Sequence, residues 1–296
     1  LLYAISRQKS TICCDRAKKK KNQILIETWH GSLGIKRFDK DANHGKAWVK
    51  AAEYCGMITD YCISNSKFED KVFKDTFWEN SEILDLGHPR NDVLFENGEC
   101  LDRHKQEIVQ RLGLDANTHY VLYGPTFRDS HNFDCYRIDY NKLIEVLEKK
   151  FGGVWRVLVR FHPTVRNFSK GIIKDSINVI DVTDYPDIQE IMLISDVAIT
   201  DYSSWIYDFI LTRKPGFIFA TDISQYNHER GFYYKLESTP FSIATDNEQL
   251  MSNILQFDNI YYEKKVEEFL KNKGCVECGE ASKKIVCIIK KLLEDK

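Results

Sequence analysis

The sequence predicts an α/β protein built from parallel sheets in two domains. Short apolar runs of strand length alternate with amphipathic helical patterns along most of the 296 residues. This alternation is typical of strand–helix–strand units. Three of the apolar runs lead directly into polar turns, around residues 28–31, 162–163 and 201–204. Because parallel α/β sheets bind ligands at the carboxyl ends of their strands, these turns also indicate where a site would lie.

The first domain is predicted to span residues 1–112. Its second helix follows Ser64-Asn65-Ser66, a typical signal for a helix N-terminus. The domain is short for a complete Rossmann unit, so we expect that its N-terminal strands precede the given sequence. The expected strands are 24–27, 61–64 and 83–86, and the expected helices are 43–55 and 67–77.

The second domain is predicted to span residues 113–296, beyond a polar helix over 96–114 that ends at Gly113. Its alternation of strands and helices is cleaner than that of the first domain. The expected strands are 120–123, 156–160, 179–181, 197–200 and 216–219, and the expected helices are 140–151, 187–194, 204–212, 261–273 and 281–294.

Composition excludes several classes of protein. With 43% hydrophobic residues the chain can bury substantial cores, and a net charge of −2 gives no global reason to bind nucleic acid. No apolar run approaches the roughly 20 residues of a membrane-spanning helix. Nine scattered cysteines are typical of reduced thiols, and Cys275-Val276-Glu277-Cys278 lacks a second ligand pair. We therefore expect no metal site.

The first candidate residue for chemistry is His30, in a turn between Trp29 and Gly31. A histidine there could act as a general base near neutral pH, and the glycine permits close backbone approach. A purely structural histidine is the alternative. His162 follows another strand, and Arg160 precedes it by two residues, which pairs a cation with an imidazole for anion recognition.

Hydroxyl and guanidinium groups follow the remaining strands. Ser203 or Ser204 would cap the next helix, whose N-terminus suits a phosphate, and Asp208 lies one turn further along. The loops 87–92 and 123–129 add arginines, whose planar forks suit phosphates and carboxylates but also form ordinary ion pairs. Several such loops at strand ends together indicate chemistry on a phosphate.

In this order, the loops resemble the CDP-glycerol glycerophosphotransferase family of teichoic acid and capsular polymer synthesis. The resemblance spans roughly residues 24–235. The matching stretches are Thr28-Trp29-His30-Gly31-Ser32, Asp60-Tyr61-Cys62-Ile63-Ser64-Asn65-Ser66, Gly87-His88-Pro89-Arg90-Asn91-Asp92, Gly124-Pro125-Thr126-Phe127-Arg128-Asp129, Arg160-Phe161-His162-Pro163, residues 184–208 and Glu229-Arg230-Gly231-Phe232-Tyr233.

The resemblance implies two Rossmann-like domains of the GT-B type, with the donor held mainly by the second. It implies transfer of glycerol phosphate from CDP-glycerol to an acceptor hydroxyl with release of CMP, without a cofactor or metal. His30 and His162 match the two essential histidines of the family. The substrate-binding residues implied in the same way are Gly31, Ser32, Arg90, Pro125, Thr126, Arg128, Arg160, Ser203, Ser204 and Asp208.

The resemblance further implies a polyprenyl-linked glycan or polymer acceptor, and hence a cytoplasmic enzyme in peripheral contact with the inner membrane face. The basic run Lys18-Lys19-Lys20-Lys21 is one candidate docking element, with a solvated loop as the alternative. The turn after His30 continues as Ser32-Leu33-Gly34-Ile35-Lys36-Arg37, where many family members carry a small residue, Pro and Leu-Lys. The acceptor therefore stays open.

Three alternatives remain at this point. CDP-ribitol could replace CDP-glycerol as the donor with the same chemistry. A GT-B glycosyltransferase that uses a nucleotide sugar would have the same architecture, since fold does not define function. A nucleotide-binding subunit that serves as a scaffold for polymer synthesis would bind the donor without turnover.

Overall fold

The computed structural model describes residues 3–5, 18–38, 45–128, 134–162, 165 and 177–294, with backbone alone for 3–5 and 227–230. The chain packs as two compact units. The first contains the described residues up to Asp92, residues 228–233 and the chain from Leu270 onward. The second contains Val93–Asn227 and Tyr234–Phe269.

The first unit contains a four-stranded parallel sheet in the order β1-β2-β3-β4. Its core joins the apolar sides of the sheet and of the first two helices, with Phe73 and Trp78 almost completely buried. Its strands are β1 (Tyr3–Ile5), β2 (Leu25–Glu27), β3 (Tyr61–Ser64) and β4 (Glu82–Asp85), and its first helices are α1 (Lys46–Ile58) and α2 (Lys67–Asp75).

The second helix begins with the cap that its sequence predicts. The side chain of Ser66 accepts a hydrogen bond from the backbone N–H of Glu69 at 3.1 Å, and the Glu69 carboxylate accepts one from the N–H of Asn65 at 2.9 Å. Ser and Glu three residues apart at a helix start satisfy donors that would otherwise be buried without partners. This cap fixes the turn that leaves β3.

The second unit contains a six-stranded parallel sheet in the order β10-β9-β8-β5-β6-β7. Every strand pair in it is parallel, and its central strand β8 is buried over all four residues. Its strands are β5 (Thr118–Tyr123), β6 (Val154–Val159), β7 (Val179–Asp181), β8 (Val197–Thr200), β9 (Gly216–Phe219) and β10 (Ser242–Ala244).

The remaining helices follow in chain order, and the last of them packs against the sheet of the first unit. The helix α4 (Tyr140–Phe151) buries Leu143 and Leu147 against the sheet of the second unit. The others are α3 (Gly98–Arg111), α5 (Ile188–Ile194), α6 (Trp205–Phe209), α7 (Ile223–Arg230), α8 (Asn247–Leu255), α9 (Asn259–Lys273) and α10 (Ala281–Glu294). None of the described helices combines the length and apolar composition that a membrane crossing requires.

The predicted α/β class with parallel sheets is confirmed, and the eight predicted strands lie where the sequence places them to within two residues. The edge strands β1 and β10 and the helices α7 and α8 were not predicted. Short edge strands carry too few residues for a clear pattern. The sequence predicts one boundary after residue 112, whereas the contacts divide the chain after Asp92 and return residues 270–296 to the first unit.

Candidate functional site

The turn that carries His30 follows β2 immediately and is strained. Trp29 has φ of 46°, a left-handed conformation that side chains other than glycine rarely adopt. The backbone N–H of Trp29 donates to the carboxylate of Glu27 at 2.9 Å, and Glu27 is itself buried at the end of the strand. Strain of this kind persists only where surrounding contacts hold it, and it concentrates at functional sites.

Aromatic packing holds the same turn in place. The centroid of the Trp29 ring lies 4.9 Å from that of Phe38 and 5.2 Å from that of Trp78. The centroid of the His30 ring lies 4.5 Å from that of Trp29. A Cβ atom at Gly31 would come within 2.6 Å of the Trp29 indole nitrogen. Glycine at residue 31 is therefore required by this close approach.

Arg90 binds the main chain on both sides of His30. The arginine lies in the turn after β4, and its guanidinium donates to the carbonyl oxygens of Trp29, at 3.3 Å, and of Gly31. The predicted substrate-binding residue Arg90 is thus also a clamp on the catalytic candidate. The same contacts hold the positive charge of the Arg90 guanidinium near the imidazole of His30.

The environment of His30 favours the neutral imidazole. The pKa of His30 is lowered to about 4, first because surrounding protein desolvates the ring and then because Arg90 and Lys36 oppose a further positive charge. The residue as a whole nevertheless remains accessible to solvent. At neutral pH this side chain can accept a proton.

The loop after His30 is packed and ordered by hydrogen bonds. Ser32 is 7% exposed, and its hydroxyl accepts from the Asn65 side-chain amide at 2.8 Å. The backbone carbonyl of Ile35 accepts a hydrogen bond from the backbone N–H of Tyr233 at 2.8 Å, and the backbone N–H of Arg37 donates to the carbonyl of Gly231 at 3.2 Å. Ser32 therefore contacts protein groups and serves to place the turn.

In the second unit, three neighbouring strands bring their carboxyl ends to one edge of the sheet. They are β8, β5 and β6, in that order. The hydroxyl of Thr200 donates to the carbonyl of Gly124 at 2.6 Å, and the N–H of Arg160 donates to the carbonyl of Tyr123 at 2.9 Å. The loops with Thr126, Arg160 and Ser203 thus start side by side, as the sequence predicts.

Arg128 is buried and its donors are directed at protein acceptors. It lies 2.8 Å from Asp201 and 2.7 Å from Asp222, donates to the carbonyl of Thr126 at 2.6 Å, and is 5% exposed. Its guanidinium carbon also lies 5.0 Å from the ring centroid of Tyr202. Within the second unit, Arg128 holds the strand-end loops together.

Thr126 differs from Arg128 in that its side chain is not used in the described hydrogen bonds of the loop. Its backbone N–H donates to Asp201 at 2.9 Å, whereas its side-chain oxygen is buried and has no hydrogen-bond partner among the described residues. Pro125 beside it is buried. A buried hydroxyl without a partner in a native protein requires an explanation, and a bound ligand is one.

Arg160 and His162 follow β6, and each has a protein neighbour. Arg160 donates to the carbonyl oxygens of Val182, at 3.2 Å, and of Tyr185, and burial lowers the pKa of its guanidinium. The ring of His162 lies 5.8 Å from that of Phe127, in the loop after β5. The structure brings His162 and the loop of Thr126 together, while Arg160 fixes the loop after β7.

The predicted serine cap is wrong. Ser204 occupies the N-cap position of α6, but its backbone is helical there, with φ of −68° and ψ of −18°, and its side chain makes no cap hydrogen bond. A cap requires extended backbone to direct the hydroxyl at the first N–H groups. Ser203 and Ser204 are partly exposed, whereas Asp208 is 3% exposed and does not face solvent.

Sequence reasoning missed several residues of these arrangements. Asp222 follows β9 at the same sheet edge, so the strand-end signal that found the other loops could have found it. Asn65 directly follows β3 and lies in a matched stretch, whereas Glu277 carries no such signal, because its role depends on contacts far apart in the chain. Asp129 and Pro163, which complete two of the matched motifs, lie outside the described residues. No group of three or more His, Cys, Asp or Glu side chains within the described part of the chain could hold a metal ion.

A comparison with models of protein families shows which family the chain belongs to. The model of the family described as CDP-Glycerol:Poly(glycerophosphate) glycerophosphotransferase matches residues 3–291. The chain belongs to this family. The resemblance found in its strand-end loops is thereby confirmed.

Curated relatives of the chain include teichoic acid polymerases. The teichoic acid poly(glycerol phosphate) polymerase of Staphylococcus epidermidis is 32% identical over 291 residues, which cover 94% of this chain and 40% of that protein. The corresponding polymerase of Bacillus subtilis is 27% identical and is covered to 40%. The chain thus spans about 40% of the length of these relatives.

Solved structures agree with this placement. The wall teichoic acid polymerase TagF is 31% identical with a TM-score of 0.78, over 94% of this chain and 70% of that chain. The UDP-GlcNAc 2-epimerase of Neisseria meningitidis is 14% identical with a TM-score of 0.54, over 90% of this chain and 70% of that one. The second likeness concerns the fold alone.

Proposed function

We propose that the chain transfers glycerol phosphate from CDP-glycerol to an acceptor hydroxyl and releases CMP, as a step in teichoic acid synthesis. The observation that carries the proposal is the exposed, neutral imidazole of His30, clamped by Arg90 in a member of this family. A TagF structure soaked with CDPG is 30% identical to the chain, with a TM-score of 0.75, and supports the choice of donor.

The reaction forms one bond and breaks one. The acceptor oxygen attacks the phosphorus that carries glycerol, and the bond from that phosphorus to the bridging oxygen breaks with its electron pair on CMP. His30 takes the proton of the attacking hydroxyl, a role that contributes typically 10²–10⁴-fold. Its lowered pKa keeps the ring unprotonated at neutral pH, the form that a general base requires.

We assign the binding of the donor to the second unit. His162 and Thr126 would contact the phosphates, and donors fixed in place before reaction stabilise charge that develops during transfer. The buried hydroxyl of Thr126, which lacks a partner among the described residues, supports this assignment. Ser203, Ser204 and Asp208 would bind the pyrophosphate or ribose, while Arg128 and Arg160 keep the loops in place through their protein contacts.

The same proposal includes the finer architecture and the cellular setting. We assign the first unit, which carries His30, to the acceptor and the second unit, which carries Thr126 and His162, to the donor, as Rossmann-like domains of the GT-B type. The acceptor is a polyprenyl-linked glycan or polymer, in teichoic acid or capsule synthesis, and the protein works on the cytoplasmic face of the membrane as a peripheral enzyme. Protein side chains, rather than a metal ion, supply the charge stabilisation.

A CDP-ribitol donor is the second candidate. The ribitol-phosphate polymerase TarL of Staphylococcus aureus is 28% identical over 90% of this chain. The chemistry at phosphorus is the same for both polyols, so the residues assigned above would keep their roles.

The test is CMP release from CDP-glycerol, CDP-ribitol and UDP-glucose, with EDTA and a lipid-linked acceptor analogue present. We expect CMP from CDP-glycerol, and its loss in His162→Ala. The matched control is His119→Ala, because His119 lies near the start of β5, at the amino end of the strand. Turnover of CDP-ribitol alone would show that the donor is CDP-ribitol and not CDP-glycerol. Release of UDP from UDP-glucose would support the glycosyltransferase alternative, and donor binding without turnover would support the scaffold.

A further inference from the structure

The segment between α9 and α10 places the carboxylate of Glu277 against the turns that follow β3 and β4. One oxygen of Glu277 accepts three hydrogen bonds, from the backbone N–H of His88 at 3.1 Å, the side-chain amide of Asn91 at 2.9 Å and that of Asn65 at 3.2 Å. His88 and Asn91 are completely buried and Asn65 is 1% exposed. The C-terminal segment therefore organises buried polar groups of the first unit.

The first connection to His30 runs through Arg90. The two donors at residues 88 and 91 flank this arginine in the turn after β4. Arg90 in turn donates to the carbonyls of Trp29 and Gly31, on either side of His30. Glu277 thus binds the residues on both sides of Arg90 in the chain.

The second connection runs through Asn65. Its side-chain amide donates both to Glu277 and to the hydroxyl of Ser32, two residues after His30. The carbonyl of Asn65 accepts from the backbone N–H of Val276 at 2.9 Å, which fixes the C-terminal segment against the turn after β3. Both sides of the His30 turn therefore depend on one carboxylate.

We propose that Glu277 is a positioning residue for the reaction, holding His30 in place through Arg90 and through Asn65 with Ser32. The inference rests on the proposed function, since it assigns the role of His30 in that reaction. A carboxylate suits this position because a charged acceptor forms stronger hydrogen bonds than a neutral one. Alanine at residue 277 would leave three buried donors without this acceptor.

The variants Glu277→Ala and Glu277→Gln test the inference, with Glu280→Gln as the matched control. Glu280 lies in the same segment but is exposed, 3.4 Å from Lys283. We expect kcat for CMP release to fall about 10- to 100-fold in Glu277→Ala, because small misplacement of a catalytic group has effects of this size. The KM for CDP-glycerol is expected to stay within about threefold. Glu277→Gln, which keeps the shape and a neutral acceptor, should recover part of the loss.

A second readout does not depend on turnover. NMR titration of the histidine rings should show the pKa of His30 rising from about 4 in Glu277→Ala, as the positive charge of Arg90 moves away. Lys36 also lowers this pKa and is unchanged in the variants, whereas His88, which lowers it too, loses the Glu277 acceptor of its backbone N–H. Glu280→Gln should titrate like the unmodified protein.

Four outcomes separate the possibilities. Unchanged kcat and an unchanged His30 titration in a folded Glu277→Ala protein overturn the inference, and a lower melting temperature with full kcat does the same. If the unmodified protein releases no CMP, the proposed function fails, while the titration still decides whether Glu277 places His30. If Glu277→Ala does not fold, both readouts are taken on Glu277→Gln, whose isosteric amide preserves packing.

Discussion

Arg128 and Asp201 form an ion pair with an N–O distance of 2.8 Å, in which the side chains are 5% and 4% exposed. Asp222 completes the cluster from the loop after β9, at 2.7 Å from the same guanidinium. A buried pair of this kind requires both partners, because removal of one leaves an uncompensated charge in the interior.

Arg128→Met is therefore expected to destabilise the protein by about 3–5 kcal/mol, the range for breaking a buried pair. Urea denaturation measures the difference in the free energy of unfolding. Arg128→Lys keeps a charge but not the planar fork that reaches two carboxylates, so it should lose part of this stability. A Met variant within about 1 kcal/mol of the unmodified protein would contradict the central role of this pair.

The pH dependence of turnover should report the unusual state of His30. A general base acts in its neutral form, and the pKa of His30 is lowered to about 4 by desolvation and by Arg90 and Lys36. Activity should therefore stay high as pH falls through 6.5 and decline only near pH 4. Single-turnover rates of CMP release between pH 4 and 8 measure this profile.

Two variants control the pH experiment. His30→Asn should reduce the rate by about 10²–10⁴-fold and remove the decline near pH 4. Lys36→Gln removes one of the positive charges that lower the pKa, so its decline should begin at a higher pH than in the unmodified protein. A profile that falls through pH 6.5 in the unmodified protein would count against His30 as the base.

The strands were predictable because their residues are apolar on both faces. Residues 197–200 form β8 with the predicted bounds, and all four are buried. The edge strand Ser242–Ala244 escaped prediction because its burial is partial and its length is three residues. Local pattern thus fixes the centre of a sheet more firmly than its edge.

The candidate site was predictable to the level of loops but not of partners. The strand-end rule identified the loop of Arg128, because polar residues that follow buried strands stand out in the sequence. Its partner Asp222 is 94 residues away, and nothing local indicates that the two groups meet. Glu277 is 212 residues from Asn65, and nothing in the local sequence around it indicates this contact.

The stability of the second unit should depend on the charge of His104. Its ring lies 2.9 Å from Glu96 and 3.6 Å from Glu190, and the hydrogen bond to Glu96 is the main cause that raises its pKa. A raised histidine pKa contributes stability that is complete below the unfolded pKa of about 6.5 and is lost as pH rises through the folded pKa.

His104→Gln should therefore destabilise the protein more at pH 6 than at pH 8.5, by about 1 kcal/mol or less at this partly exposed pair. Urea titrations at the two pH values measure the difference. Arg103→Gln, an exposed neighbour on the same helix, removes a permanent positive charge and should show no such pH dependence. An equal cost of His104→Gln at both pH values would show that the ion pairs contribute nothing.

Gly56 tests the packing of the first unit. It lies in α1, where a Cβ atom would come within 1.8 Å of the backbone carbonyl oxygen of Phe77. An alanine in a helix is normally worth about 0.5–1 kcal/mol relative to glycine, but here the clash is with backbone that cannot rotate away. Gly56→Ala should therefore be destabilising by at least about 1–3 kcal/mol, the usual cost of overpacking. Denaturant unfolding measures this cost, and Glu53→Ala, an exposed change on the same helix, should stay within about 0.5 kcal/mol. A stabilised Gly56→Ala protein would mean that α1 and the loop of Phe77 do not approach as closely as described.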